Sequence, residues 1–292
     1  MSTEAFIAHR DLLFTVAYEM LASAADAEDV LQEAWLRWSA DDRDDVLDPR
    51  AYLVRITTRL SLNRMRTLAR RREDYVGPWL PEPLLTTPDV AEDAVLAESV
   101  STAMLLVLQT LGDVERAVFV LREVFDVPYD EIAEAVGKSH AATRQIAHRA
   151  RQHVAARRPR STVSQQEQQR VVERFRGAAS TGDLQQLTDV LAPDVVLLSD
   201  GGGKVQAALK PIYGVEKVLR FLVGVRPHLF SMDSVLVNGA PAIQFVVDGA
   251  IDTMGSALVE DGRVTALYFV RNPDKLARVE SPMTLTRQSA SA

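Results

Sequence analysis

Four prolines fall within the fifteen residues "YVGPWLPEPLLTTPD", Tyr75 to Asp89. No helix runs unbroken through such a segment, because each proline removes a backbone donor and its ring clashes with the preceding turn. What lies before and after must be separate units joined by extended chain. The segment also carries Trp79, Leu80, Leu84 and Leu85. A connection this apolar is expected to dock on another part of the molecule.

On the N-terminal side the pattern is helical throughout. Phe6, Leu13, Ala17 and Tyr18, then Val30, Leu31, Ala34, Trp35 and Trp38, recur at helical spacing. Ser23 is placed to cap the second helix, with Asp26, Glu28 and Asp29 in its first turns, where the helix dipole favours anions. Pro49 can open the third from its first turn, with Tyr52, Leu53, Ile56, Leu60, Asn63 and Leu68 in or near one stripe. From Pro49 to Arg72 there are eight arginines and no acid, whereas the stretch from Asp26 to Asp48 is strongly acidic. A chain that sorts its charge this way usually has two different partners, or one surface of each sign.

Helical spacing resumes from Val90 to about Val154, followed by a polar connection around Pro159 and one amphipathic helix from about Gln166 to Ala179. The remainder is different. "DVVLLS", "AIQFVVD", "SALVED" and "VTALYFV" are short, β-branched or alternating, and bounded by Gly, Pro and Asp. Asp261-Gly262 between the last two is a hairpin signal. The chain therefore reads as multidomain, an all-α first half followed by an α+β unit. The tail after Pro282 reads as disordered.

Composition narrows the function classes. The 292 residues allow two or three domains, and 47% hydrophobic with 25% charged residues is enough to form a core. No stretch approaches the roughly 18 apolar residues of a membrane span, and the N-terminus lacks a signal pattern, so a cytoplasmic chain without membrane contact is expected. With no cysteine there is no thiolate metal site or thiol nucleophile, and the five histidines are too scattered for a His-rich site. Neither metal nor cofactor is expected. The net charge of −7 argues against indiscriminate coating of nucleic acid.

"YDEIAEAVGKSHAATRQIAHRAR", from Tyr129, fits a helix-turn-helix. Ile132 and Val136 face inward, Ala133 leaves room for a crossing helix, Gly137 supplies the turn, Ser139 caps the second helix, and Thr143 and Ile146 face inward. His140, Arg144, Gln145, His148, Arg149 and Arg151 then point outward. Guanidinium and amide groups at the front of such a helix suit major-groove base edges and phosphates. An amphipathic pair with a solvated basic face fits this segment equally well.

The order "DAEDVLQEAWLRW", "DPRAYLVRITTRLSLNRMR" and this helix-turn-helix, covering Glu4 to Arg158, resembles the group IV (extracytoplasmic-function) sigma factors of bacterial RNA polymerase. The resemblance implies sigma region 2 over residues 1–74, the proline linker over 75–95 and region 4 over 96–156. It implies that Asp26, Asp29, Gln32, Glu33, Leu36 and Arg37 grip the clamp helices of the polymerase largest subunit, with the beta flap as a further contact. It also implies that the arginine helix, with Arg55, Arg59, Asn63, Arg64 and Arg66, melts and holds the minus-ten promoter element. The face from Ser139 to Arg151 (Ser139, His140, Arg144, Gln145, His148, Arg149, Arg151) would read the minus-thirty-five element. Opening a duplex needs such a basic groove and platforms for unstacked bases. Many members have Asn where Arg59 stands and Asp where Asn63 stands, which leaves the base contacts open.

Past a connection at 157–164, residues 165–282 resemble the SnoaL-like branch of the NTF2-like fold, a cone around a cavity, with 283–292 as the disordered tail. "WLPEP" (Trp79, Leu80, Pro81, Glu82, Pro83), "DGGGK" (Asp200, Gly201, Gly202, Gly203, Lys204) and "NPDK" (Asn272, Pro273, Asp274, Lys275) together resemble one sigma subgroup, the mycobacterial sigma factor J type. In that subgroup the extension is thought to regulate the sigma factor in cis. The three glycines do not form a phosphate loop: Leu198 stands where a Walker loop needs glycine, and Val205 where it needs Ser or Thr. Two alternatives remain for them, a contact loop with Asp200 and Lys204 on its rim, or a plain turn. Tyr213, His228, Asp248, Asp252 and Tyr268 are the groups a catalytic cavity would draw on, but they form no constellation, so no enzyme activity is expected. A hollow cone leaves room for a small apolar ligand. The competing function is a ligand-sensing helix-turn-helix regulator with an NTF2-like sensor that never touches polymerase, which has no use for the acidic and arginine helices.

Overall fold

The computed structural model describes residues 2–40, 46–158, 163–225, 230–279 and 281–289. The second half of the first helix, α1 (Ser2–Leu21), is buried without a break from Leu12 to Leu21. A helical segment buried on every side belongs at a centre, and the rest of the helical half is built around it. Helix α2 (Ala24–Ser39) starts where expected: Ser23 accepts from the Asp26 amide at 3.2 Å. Helix α3 (Pro49–Glu73) has Asp48 as its cap and Pro49 in its first turn. Its buried stripe runs through Leu53, Thr57, Leu60, Ser61, Met65 and Leu68; Asn63 is exposed and lies off it.

Residues 88 to 124 are more broken than the periodicity suggests. They form α4 (Pro88–Glu92), α5 (Ala94–Val100), α6 (Thr102–Leu108), α7 (Asp113–Phe119) and a π-helical turn at Val120–Val124. Side-chain caps at Asp93 and Ser101 restart the chain between these pieces, satisfying amides that a continuous helix would have bonded itself. Helices α8 (Tyr129–Val136) and α9 (His140–Ala155) follow, with Gly137 left-handed at φ 66° and Ser139 capping α9. One hydrophobic core runs from Phe6 to Val154, so the two helical segments share an interior. The buried Arg116 guanidinium pins them together, donating to Leu108 O at 2.9 Å and Met20 O at 2.8 Å.

Helices α10 (Gln165–Thr181) and α11 (Leu184–Val190) lead into β1 (Leu191–Asp200) and β2 (Ile212–Tyr213), then α12 (Val215–Val225), β3 (Phe230–Val237), β4 (Ala240–Val247), β5 (Ala250–Glu260), β6 (Arg263–Val270) and the short α13 (Pro273–Leu276). The strands form one sheet in the order β2-β1-β6-β5-β4-β3, with β1 parallel to β6 and all other pairs antiparallel. Asp261-Gly262 makes its expected hairpin turn, and Asn238-Gly239 and Asp248-Gly249 make two more, each with positive φ at both residues. Register shifts at Phe245/Val246 and Leu258/Val259 mark bulges, which bend strands.

The two-residue period of the strands explains how this sheet joins the rest. Ile243, Leu267 and Phe269 face α10, α11 and α12 in one core. Their neighbours Ala242, Ala266, Tyr268 and Val270 face the opposite side, where they pack with Leu80, Leu85 and Leu106. Both faces are therefore covered, one by the cone's own helices and one by the linker and α6. This is the α+β cone implied by the resemblance, following two all-α segments.

Two expectations are corrected. The tail from 283 to 289 is ordered: Met283 N donates to Leu85 O at 2.8 Å, Leu285 is buried, and Arg287 makes a bidentate pair with Asp93 at 2.8 and 3.0 Å. Its order comes from partners nearly 200 residues away in sequence, which local composition does not register. The last three residues lie outside the described set. Strands β2 and β3 were also not anticipated.

Beneath this tail, Glu19 of α1 is fully buried and accepts from Ser99 Oγ at 2.8 Å. Burial pushes its carboxyl up to about 8, partly offset by the Ser99 bond and the Arg287 charge. A carboxyl whose folded-state value is raised stabilises the fold at low pH and loses that contribution as pH rises towards 8. Glu19→Gln should therefore melt a few degrees higher than the parent at about pH 8, with the gap narrowing towards pH 5. Thermal unfolding across that range checks it, and a pH-independent gap would contradict it.

Candidate functional site

The outer face of α2 carries Asp29, Gln32, Glu33, Leu36 and Arg37, all exposed, with Leu36 59% exposed. Asp26 is not part of this face. It is buried in the first turn of α2 and accepts from Arg64 Nε at 2.6 Å, while Arg64 Nη2 donates to Asp29 at 2.9 Å. The resemblance implied that Asp26 belongs to this face, but α3 crosses there and takes it inside.

The arginine helix is also partly occupied. Arg55 pairs with Glu134, and Arg59 Nη2 donates to Glu134 O at 2.8 Å, so α8 lies across this part of α3. Asn63 and Arg66 remain exposed, bonded to each other at 3.0 Å. On α9 the outward set is open: Ser139, His140, Arg144, Gln145, His148, Arg149 and Arg151 are all exposed, while Thr143 and Ile146 are buried as expected. Arg151 is held by Glu123 at 3.0 Å, and its guanidinium is pushed up first by its hydrogen bond to Tyr129.

The proline linker connects everything described so far. Its backbone extends along the free edge of β3: Thr86 N donates to Leu236 O at 3.0 Å and Asn238 N to Leu84 O at 2.9 Å. The C-terminal end of this sheet edge is thereby capped. Asn238, at the tip of the β3–β4 hairpin, accepts from Leu84 N at 2.8 Å and donates to Tyr18 Oη at 2.7 Å and Val100 O at 2.8 Å. Tyr18 in turn donates to Glu82 O at 2.7 Å. Glu82, buried, accepts from Ser23 Oγ at 2.9 Å and the Ala25 amide at 3.2 Å, and burial pushes its carboxyl up. Pro81 and Pro83 are buried on either side of it.

A buried ion pair fixes the other end of "WLPEP". Lys275 Nζ lies 2.7 Å from Asp200 Oδ2, with side chains 8% and 0% exposed. The same ammonium donates to Leu80 O at 2.6 Å and sits 3.6 Å from the centroid of the Trp79 ring. Burial pushes Lys275 down to about 8, against the opposing pull of Asp200. Asp200 accepts further from Leu80 N at 2.9 Å and Tyr75 Oη at 2.5 Å, and Asn272 Nδ2 donates to Tyr75 Oη at 2.8 Å. The glycines follow from this closeness. A Cβ on Gly202 would lie 2.4 Å from Asn272 Nδ2, and one on Gly203 3.1 Å from Val76, both at positive φ. Asp200 is thus interior rather than on the rim; only Lys204, paired with Asp274, lies outside. "WLPEP", "DGGGK" and "NPDK" converge on one latch. Asn238 and Tyr18 belong to the same set of contacts; only the Asn-Gly turn signal hinted at Asn238.

Comparison with known proteins now bears on the helical half. The families described as Sigma-70 region 2 and Sigma-70, region 4 match residues 5–71 and 101–154. The chain is 39% identical to the ECF RNA polymerase sigma factor SigJ of Mycobacterium tuberculosis, over 94% of this chain and 93% of that protein. The chain belongs to the ECF sigma factors. It is also 32% identical to the probable ECF sigma factor SigI of that species, covering 93% of each. The crystal structure of M. tuberculosis SigJ superposes with a TM-score of 0.77 and 36% identity, covering 96% of this chain and 99% of that one. The regulator that never touches polymerase does not account for a region 2 match.

Of the cavity groups drawn from the sequence, Asp252 lines the cone cavity; Tyr268 lines a separate cleft, Tyr213 is exposed and Asp248 sits in a turn. His228 lies outside the described residues. Among the described residues no helix is long and apolar enough to cross a membrane, and no cluster of three or more His, Asp or Glu side chains could hold a metal.

Removing one partner of the latch strands a buried charge. Asp200→Asn should cost about 3–5 kcal/mol, and combining it with Lys275→Met should recover a large part of that loss. Urea unfolding of the single and double variants measures the coupling; strictly additive losses would show that the pair does not act as a unit.

Proposed function

We propose that this chain binds core RNA polymerase through the exposed face of α2 and directs promoter-specific initiation, with α3 engaging the minus-ten element and α9 the minus-thirty-five element. The cone, through the latch, holds the helical half in a form where part of the promoter-binding surface is covered. The observation that carries this reading is the seating of α8 on α3, where Arg55 and Arg59 are spent on Glu134 and its neighbour rather than left for phosphates. Opening a duplex needs these cations free, because phosphate neutralisation supplies most of the affinity. Region 4 must therefore leave α3 before promoter opening, and the shared core with the latched linker opposes that step.

The cone acts as a regulatory module and not as a catalyst. In support, Asp252 is the one sequence-drawn carboxylate at its cavity, and it is bound to Arg271 by a bidentate pair at 2.7 and 3.1 Å. A carboxylate so held is poorly suited as a general base, whose protons must come and go near neutral pH.

Transcription with purified core polymerase tests the proposal. Arg59→Ala should reduce promoter-specific initiation about tenfold, as loss of a phosphate or base contact does. Glu134→Ala, which frees Arg55, should raise the affinity of the isolated protein for minus-ten single strands a few-fold. Absence of promoter-specific initiation at every candidate promoter would refute the sigma role; an unchanged affinity on Glu134→Ala would refute the masking.

A further inference from the structure

The cone encloses a cavity of about 420 Å³, within the range that accommodates a small organic molecule. Phe175, Phe221, Phe245, Phe269 and Met232 line it, and at its mouth Leu184 and Val223 are about half exposed. Into this apolar space project two charged side chains, Arg271 and Asp252. They form a bidentate pair, Thr253 Oγ1 donates to Asp252 Oδ2 at 2.6 Å, and Arg271 Nη1 donates to the carbonyl of Gln206, which also lines the cavity. The pair is neutral as a whole. An anionic ligand would meet the Asp252 carboxylate, and a cationic one the Arg271 guanidinium. A neutral group that both accepts and donates, such as a hydroxyl or an amide, meets a complement in each.

The wall beside this pair is also the back of the latch. A Cβ on Gly201 would lie 2.6 Å from Val205 O and 2.8 Å from Ala207 Cβ, so the "DGGGK" turn rests directly on the segment that carries Gln206, Ala207 and Ala208 into the cavity. Arg271 N and Asn272 N both donate to Asp200 O, at 2.7 and 2.9 Å. The guanidinium that faces the cavity and the amides that position the latch aspartate thus belong to one stretch of chain at the end of β6.

We propose that the cavity takes a neutral, elongated apolar molecule with one hydroxyl or amide head, read by Arg271 and Asp252, and that its binding loosens the latch. The head competes with the Gln206 carbonyl for Arg271 Nη1. The 205–208 wall then moves off the glycine turn, and Asp200 loses its fixed position under Leu80. The binding half stands on the cavity alone; the loosening half rests on the regulatory role proposed above for the latch. A ligand shifts such an equilibrium only through its different affinity for the two states, and here the difference lies in the Gln206 contact.

The test uses the full chain and three probes with one tail: 1-decanol, decanoate and decylammonium. Displacement of the neutral dye Nile red should give 1-decanol an affinity about tenfold or more above the other two. Asp252→Asn leaves Arg271 with an uncompensated charge and should shift the preference to decanoate. Phe221→Trp, which narrows the cavity without touching the pair, should weaken all binding. Equal affinity for the three probes, or a preference unmoved by Asp252→Asn, overturns the assignment of the head group. Hydrogen exchange at the Leu80 amide reads the coupling. Saturating 1-decanol should speed it, and unchanged or slowed exchange overturns the loosening while leaving the binding site and the sigma role standing. Failure of initiation with core polymerase, by contrast, would refute the sigma role without bearing on the probe affinities.

Discussion

The Asp200–Lys275 pair is the interaction on which the arrangement of this molecule depends. Two opposite charges buried together are costly to desolvate, and they persist only where hydrogen bonds take up their remaining capacity. Here the carboxylate accepts from Leu80 N and Tyr75 Oη, and the ammonium donates to Leu80 O and lies against Trp79. These extra partners belong to the linker, and one more, the Gly202 amide donating to Asp200 Oδ1 at 3.1 Å, comes from the cone itself. The pair is satisfied only when "WLPEP" is in place, and so it couples the cone to the connection between the two sigma segments. A purely apolar contact would stabilise without demanding this register; a buried charge pair accepts one arrangement.

The second anchoring point, at Asn238, works by the same logic with neutral groups. One side chain bonds Leu84 of the linker, Tyr18 of α1 and the Val100 carbonyl at the end of α5. Both helical segments and the linker thus meet at a hairpin tip of the cone. The docked tail, with Arg287 on Asp93, adds a third attachment. In the regulatory reading proposed above, these attachments oppose release of α8 from α3, where Arg55 and Arg59 are bonded to Glu134.

Much of this was legible in the residues. Caps at Ser23 and Asp48, Pro49 in a first turn, the left-handed Gly137 and the Asp261-Gly262 hairpin all follow from local rules, and local rules are visible in sequence. The apolar proline linker announced that it would dock, and the triple glycine that backbone would approach closely. Features set by distant partners were not visible. Asp200 was expected on a loop rim and Asp26 in the polymerase-binding set that the resemblance implied, yet each is interior and met there by a cation from another element, Lys275 or Arg64. Arg271 looked like an ordinary residue after a strand, and β6 had to be placed beside β5 before it stood opposite Asp252. The tail lacks any periodic signal; its order is borrowed from Leu85, Thr15 and Asp93.

The chain has no cysteine of its own, so spin labels can be placed cleanly. With labels at T67C on α3 and K138C beside the helix-turn-helix turn, both exposed positions, the distance distribution reports directly whether region 4 sits on region 2. The account predicts one narrow distribution for the free protein, and a broader, longer one in a Lys275→Ala background that retains the folded helical half by circular dichroism. A distribution unchanged by loss of Lys275 would contradict the claim that the buried pair, acting through the linker, holds the two sigma segments together.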